Sequence, residues 1–438
     1  MTTLAEVRMW GRAIGAVSVD GVQGVAAFEY TPEFRRSGIE VAPLMMPLAG
    51  PERVWRFDGL PRAAFHGLPG LLADALPDAF GNAVIDRWLA RQGRLPGEID
   101  AVERLCYAGS RGMGALEFRP LKGPHADEST PVEIGALVEL ASDVLRARDG
   151  LAVSFDGEER EAALREILRV GASAGGARAK AVVAWNPATN EVRSGQVDAP
   201  EGFEHWLLKF DGVDHNRDRD VTEPRGFGAI EYAYHLMARA AGIAMEDCRL
   251  FEEGPRRHFM TRRFDRVGAR GRLHLQSLAA LAHFDLNAAG AHSYEQVFVV
   301  LRRLGLGMDA LEEQFRRTCF NVVARNQDDH VKNIAFLMDK EGRWSLSPAF
   351  DLTYAYNPDG AWTSRHQLSL EGKRDGFERA DLDALGRTVS LARGRALEIL
   401  DEVGAAVVRW REFAQLAGVD DERAAAIEAK HRLAMAAT

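Results

Sequence analysis

Apolar and polar positions change their period several times along this chain. From residue 7 to 56, short apolar runs alternate with Gly and Pro breaks: Ala13 to Val19 is followed by Asp20-Gly21, a hairpin signal, and then by Val22 to Tyr30. That pattern predicts short strands joined by tight turns. Between 69 and 93 the period lengthens, with Leu71, Leu72, Leu76, Phe80, Val84, Ile85 and Leu89 recurring at helical spacing. Pro77 has no amide proton to give a helix interior, so one helix should end and another begin there. A further helical pattern covers 131–147. Ser154-Phe155-Asp156-Gly157 then breaks it, and Glu158 to Leu168 resumes the helical period.

Between 169 and 265 apolar runs alternate with Gly-rich and charged loops. Ala181–Trp185, Trp206–Phe210 and His258–Thr261 are predicted strands, interrupted by one helix over 228–241. Beyond 275 helical patterns dominate, as in Leu311, Phe315, Cys319, Val322 and later Ala396, Leu400, Val403, Val407, Trp410. A domain boundary is expected near 125, and no internal repeat or low-complexity tract occurs.

Composition narrows the class. The 438 residues are 46% hydrophobic and 27% charged, an ordinary globular balance with room for two to four domain-sized units. Lys plus Arg number 55 against 64 Asp plus Glu, a net charge of −9, so the whole-molecule basic field that captures nucleic acid unaided is absent. Three cysteines without a C-x-x-C pair, Cys106, Cys248 and Cys319, argue against a disulfide framework or a Cys-rich zinc site. Neither a signal-peptide core nor a run of about 18 apolar residues appears, so the expected setting is the cytoplasm, away from membranes.

The densest chemistry lies at 325–351. Arg325-Asn326-Gln327-Asp328-Asp329-His330-Val331-Lys332-Asn333 leads into Ile334–Met338, a turn at Asp339–Gly342, Arg343–Leu346 and then Ser347-Pro348-Ala349-Phe350-Asp351. If the middle is a hairpin, Asn333 and Asp351 finish at its same end. Asp328 precedes Asn333 by five residues, the spacing of a kinase catalytic Asp and its metal-binding Asn, and Asp351 stands where a D-F-G Asp would. Two hard oxygen ligands suit Mg²⁺, and a nearby carboxylate can accept a hydroxyl proton. Two other readings stay open: a helix cap and turns, and a metal phosphohydrolase using Asp329 and His330 with His274, His283 or His292. A calcium loop lacks its Gly and terminal Glu.

Three further features join this one. Arg169 to Lys180 contains Ser173-Ala174-Gly175-Gly176-Ala177, whose glycines let backbone N–H groups approach phosphate. It is not a Walker A loop, because Ala179 and Ala181 stand where Gly and Ser or Thr belong. Lys209 closes the apolar run Trp206–Leu208, and Glu231 follows 22 residues later in the first turn of a helix. Phe259 to Arg266 crosses from the strand-rich into the helical region.

In this order and over most of the chain, the set resembles the HipA family of toxin serine/threonine kinases from bacterial toxin–antitoxin pairs. Asp328-Asp329-His330-Val331-Lys332-Asn333 matches the family's D-x-H-x-x-N motif, and Ser173 to Lys180 its phosphate loop. The resemblance implies a two-lobed, protein-kinase-like α+β fold. Residues 1–125 would form a β-rich N-terminal accessory subdomain, 126–265 the N-lobe with its phosphate loop, and 266–438 a mainly helical C-lobe with the catalytic loop. It implies ATP and Mg²⁺ as cofactors, Asp328 as catalytic base, and Asn333 and Asp351 as metal ligands. Ser173, Gly175, Gly176, Ala177, Lys180, Lys209, His330, Lys332 and Phe350 would surround the nucleotide, with Arg262, Arg263 and Phe264 as the adenine hinge. Arg262 replaces the acid usual at the start of that hinge. The partners implied are a DNA-binding antitoxin, DNA only through it, and a protein substrate of the aminoacyl-tRNA synthetase or translation-factor kind. Ser173 is expected to be autophosphorylated, placing negative charge where ATP phosphates sit and shutting the enzyme off. A catalytically silent co-repressor that merely docks the antitoxin is the rival reading.

Overall fold

The structure, a computed structural model, describes residues 2–122, 132–148, 178–195, 200–213, 226–268 and 271–436. The chain opens with an antiparallel sheet of β1 (Thr2–Met9), β2 (Arg12–Asp20), β3 (Ala27–Tyr30), β4 (Val54–Arg56) and β5 (Leu116–Arg119), in the order β4-β3-β2-β1-β5. Trp10 and Gly11, at φ 50° and 77°, join β1 to β2. Two left-handed residues give the turn whose twist matches the strands. The Asp20-Gly21 signal also ends a strand, but β3 starts only at Ala27, because the loop first makes a turn of its own from Gly21 O to Gly24 N. Ala5, Val7 and Met9 alternate inward on β1 and share a core with Val17, Val19 and Phe28.

Pro77 does separate two helices, Gly70–Ala73 and Ala79–Arg91. Asp78 caps the second, its Oδ1 accepting from Gly81 N at 2.7 Å, which satisfies an amide that helix geometry leaves unpaired. A further helix, Ala101–Ala108, is not among the elements read from the sequence; at eight residues it is too short for a repeated period to stand out, though it turns Val102, Leu105 and Cys106 inward and Asp100 caps it by accepting from Glu103 N. The helix Ala79–Arg91 packs Phe80, Val84, Ile85 and Leu89 in one core with the helix Ile134–Arg148 and with the second sheet.

That second sheet comprises β6 (Lys180–Trp185), β7 (Val192–Ser194), β8 (Glu204–Lys209), β9 (Cys248–Glu253) and β10 (Arg256–Arg262), ordered β7-β6-β8-β10-β9. The three strands expected in this region are therefore present, and β8 is central, flanked by β6 and β10. The helix Phe227–Ala240 runs beside it, as its period requires. The expected boundary at 125, the break at 154–157, the helix over 158–168 and the loop residues 169–177 lie outside the described residues.

A small ribbon, β11 (Arg266–Val267) with β12 (Gly271–Arg272), leads to the third sheet. There β14 (Ala335–Met338) and β15 (Trp344–Leu346) form the hairpin expected about Asp339–Gly342, and β13 (His274–Ser277) adds itself along β14. Apart from the irregular segment 347–378, the rest is mainly helical, and the large core of this region includes Ile230, Tyr234 and Met237 from the helix Phe227–Ala240. The α+β architecture is as expected.

The N-terminal sheet is docked rather than tethered. Trp10 Nε1 donates to Arg272 O at 2.8 Å and Trp344 Nε1 to Glu40 O at 3.2 Å. Among the described residues no helix is long and apolar enough to cross a membrane.

Candidate active site

The centre of the site follows from β8 being the middle strand. Its last residue, Lys209, is carried to the sheet's end, and its Nζ lies 2.5 Å from Glu231 Oε1 and 2.5 Å from Asp351 Oδ1. Glu231 arrives there because the helix Phe227–Ala240 presses onto β10 at Gly228. A Cβ at Gly228 would meet Arg257 O at 2.6 Å, so only glycine allows the approach. Burial works against a charged Lys209, but Asp351 and Glu231 outweigh it and hold its pKa above the ordinary value. Burial also opposes ionisation of Asp351, yet Lys209 and then Lys180 keep that carboxyl below its usual range. Glu231, the deepest of the three, is pushed up by burial and by Asp351.

Asp351 sits at φ 53°, a left-handed conformation costly for a residue with a Cβ. The turn into it is pinned from behind, since Ala349 N donates to Ala244 O at 2.8 Å. Beside it Phe350 packs on Phe264, ring centroids 5.6 Å apart.

The catalytic-loop candidates follow the helix Met308–Val323. Asn333 Nδ2 donates to Asp328 O at 2.9 Å, closing the loop on itself and leaving the amide oxygen, Oδ1, as the atom for a cation. His330 Nε2 is 3.8 Å from Asp328 Oδ1, and Trp362 Nε1 donates to the same oxygen at 2.5 Å. Asp329, next along, plays a different part. It is buried and takes three donors: Tyr294 OH at 2.6 Å, His366 Nδ1 at 2.7 Å and Gln367 N at 2.7 Å. Burial alone would raise its pKa; His366 and the other donors bring it below the ordinary value.

Lys209, Glu231, Asp351 and Lys180 are thus brought together, and His330 joins Asp351's field to Asp328. Lys180 is buried on β6, 3.7 Å from Asp78. Burial pushes Asp78 up to about 6, against the pull of Lys180. Lys332 lies 3.9 Å from Asp74. Ser173, Gly175, Gly176 and Ala177 lie outside the described residues. Of the hinge residues, Phe264 lines a cavity together with Phe350, on which it packs. Arg262 reaches Asp247 at 3.8 Å, and the buried guanidinium of Arg263 is spent on Asp265, at 2.9 and 2.7 Å.

That cavity opens between the sheets. Leu76, Leu116, Leu207, Leu275, Phe264 and Phe350 give it apolar walls, and Asp74, Asp78, Arg262, Arg263, Lys332 and Asp351 bring charge to it. Such a mixed lining suits a ligand that joins a flat apolar ring to phosphates with a divalent cation. The residues present fit the group: Asp351 is held as an anion, the state a hard cation requires of it.

Sequence reasoning missed the contribution of residues 64–78, 113 and 116 to this cavity. Asp74, for example, accepts from Ser277 N at 2.7 Å and from Ser277 Oγ at 2.9 Å across 203 residues of chain, a pairing no local pattern announces. It also missed Trp362. The histidines offered to a metal phosphohydrolase form no metal-holding group of three or more His, Cys, Asp or Glu among the described residues. His283 Nε2 accepts from Gly70 N at 3.0 Å, burial holding that ring near a pKa of about 4. His274 is fully buried beside Trp344, and His292 stacks on Phe284.

No curated protein matches the chain significantly. Among solved structures it is similar to the Shewanella oneidensis MR-1 HipA in its complex with HipB and operator DNA, at 16% identity and a TM-score of 0.67, covering 98% of this chain and 94% of that one. A second similarity, to the Helicobacter pylori proinflammatory kinase CtkA, has 11% identity and a TM-score of 0.33, over 51% of this chain and 92% of that one. The model of the HipA N-terminal domain matches residues 5–119, and that of the HipA-like C-terminal domain matches 172–411, which includes Lys209, Glu231, the Asp328–Asn333 loop and Asp351. With both halves of its architecture matched in order, the chain belongs to the HipA family.

Proposed function

We propose that the chain transfers the γ-phosphoryl group of ATP to a serine or threonine hydroxyl of a protein, as the toxin of a toxin–antitoxin pair. One observation carries this reading: Lys209 is bonded at once to a helix glutamate and to Asp351, beside a loop that presents Asp328 and Asn333. Phosphoryl transfer asks a protein mainly for position and for charge stabilisation, and these residues supply both. Glu231 aims Lys209 at the phosphates. Asn333 Oδ1 and Asp351 would hold Mg²⁺, which neutralises phosphate charge when bound. Asp328 accepts the hydroxyl proton at an oxygen within hydrogen-bond reach of the acceptor.

The domain limits 1–125, 126–265 and 266–438 belong to this reading, as does an antitoxin that brings DNA with it. Such an antitoxin accompanies the S. oneidensis protein. The metal phosphohydrolase is disfavoured because, among the described residues, His274, His283 and His292 do not gather with Asp329 and His330 into a metal-holding group, and a silent co-repressor by the assembled Lys209 site. Incubating the purified chain and a cell lysate with γ-labelled ATP and Mg²⁺ tests the proposal. Wild type should label protein, and phosphosite mapping should find label on Ser173 as well as on a target. Asp328→Asn should lose about 10²-fold or more of the transfer while still binding nucleotide. Free phosphate without labelled protein, or transfer retained by Asp328→Asn, overturns the assignment.

A further inference from the structure

The carboxylates of Asp328 and Asp329 are neighbours in sequence with opposite surroundings. The Asp329 side chain is about 1% exposed and fully engaged, whereas that of Asp328 is 30% exposed and open to an incoming acceptor. A general base acts only when its oxygen is held within reach of the proton it takes. His330 of the same loop stands 3.8 Å from Asp328 Oδ1, beyond a hydrogen bond, whereas Trp362, 34 residues downstream, donates its Nε1–H to that oxygen at 2.5 Å.

We propose that Trp362 is a positioning residue for Asp328, its indole N–H fixing the carboxylate that receives the acceptor's proton. The inference rests on the kinase reading of Asp328. Indole is suited to the task because it donates only and does not titrate, so it neither competes for the proton nor changes with pH. A carboxylate oxygen has two lone pairs, so the indole leaves capacity for a hydroxyl. A lysine or arginine in the same place would hold the carboxylate equally well but would lower its basicity more.

Trp362 is itself held. Gln367 Nε2 donates to Trp362 O at 2.6 Å, and Gln367 N donates to Asp329 Oδ1 at 2.7 Å, with His366 on the other oxygen of Asp329. The two adjacent acids therefore clasp one segment. Asp329 anchors it at 366–367, and the segment returns Trp362 to Asp328.

The experiment uses the full chain, γ-labelled ATP with Mg²⁺, and lysate proteins as acceptors. Trp362→Phe keeps a ring and removes the donor. Its rate at saturating ATP should fall about tenfold, with KM for ATP and the unfolding midpoint within about twofold and a few degrees of wild type. Trp362→His, which retains a ring N–H, should recover most of that rate and keeps the test available if the Phe variant folds poorly. Equal loss in both variants overturns the proposal, as does an unchanged rate in Trp362→Phe. A faster rate overturns it too, since it would make the indole an obstruction. Asp328→Asn is run beside them. If that variant transfers normally the base assignment itself falls, whereas an inactive Asp328→Asn with an unaffected Trp362→Phe removes only the role of Trp362.

Discussion

The two walls of the cleft handle their charges in opposite ways. On the hinge side Asp265 is fully buried and fully answered: Arg263 binds both its oxygens, Arg266 Nη1 lies 2.6 Å from Oδ2, and Gly114 N, from the N-terminal region, donates to the same oxygen at 2.6 Å. Arg263 and Arg266 also reach Gly112 O, at 3.2 and 3.4 Å. Burial would raise the Asp265 carboxyl, but the two guanidinium groups hold it far below its ordinary range. On the working side Lys209 must answer two carboxylates at once, Asp351 is in a strained backbone conformation, and Asp328 is open to solvent. A closed network fixes a wall in place. A part-exposed one keeps charge within reach of a ligand, and strain of this kind gathers where chemistry is done.

If the hinge wall is structural, its key residue should cost stability most. Asp265→Ala takes the carboxylate from two buried guanidinium groups and the acceptor from the Gly114 amide, and should destabilise the fold by about 3–5 kcal/mol in urea unfolding. The same group gives a pH signature. Its folded pKa is depressed, so its contribution is present above the ordinary carboxylate value of about 4 and lost as pH falls below it. Unfolding free energies in which wild type and Asp265→Ala stay equally far apart on acidification would break the comparison.

Asp78 lies between the walls and has the opposite sign. Its folded pKa of about 6 exceeds that of an unfolded aspartate, so the native state holds the extra proton between about pH 4 and 6, and stability falls as pH rises through that window. Asp78→Asn keeps a helix-capping oxygen and should abolish a slope worth at most about 3 kcal/mol over the window. Identical slopes in the two proteins would remove the buried carboxyl as its source.

The smallest stability effect belongs to the working wall. Gly228→Ala should cost about 1–3 kcal/mol by forcing the helix off β10, yet reduce phosphate transfer more than stability, because Glu231 moves with it. A variant of lowered stability and full activity would show that the Lys209–Glu231 contact tolerates that shift.

What was legible in the sequence is what depends on near neighbours. Pro77 splitting two helices, the hairpin at 334–346 and the strand ending at Lys209 rest on period and turn chemistry within a few residues. The start of β3 and the helix Ala101–Ala108 escaped for local reasons too, one hidden by an extra turn and the other by its shortness. The site was legible only as a list. That Lys209 answers both Glu231 and Asp351 follows from β8 being central, and that Asp329 is an anchor while Asp328 is open cannot be read from two consecutive aspartates.

By itself, then, the sequence determined most of the segments that become strands and helices, where the acids, amides and lysines of the site stand along the chain, and the family to which they belong. Tertiary structure alone decided that the N-terminal region closes the cavity, that Gly114 donates to Asp265, and that Trp362 reaches Asp328. The physical reason is range. Period and turn chemistry act over a few residues, while the contacts that set a carboxylate's partners and ionisation join positions 34, 142 or 151 residues apart, and only the folded core brings those together.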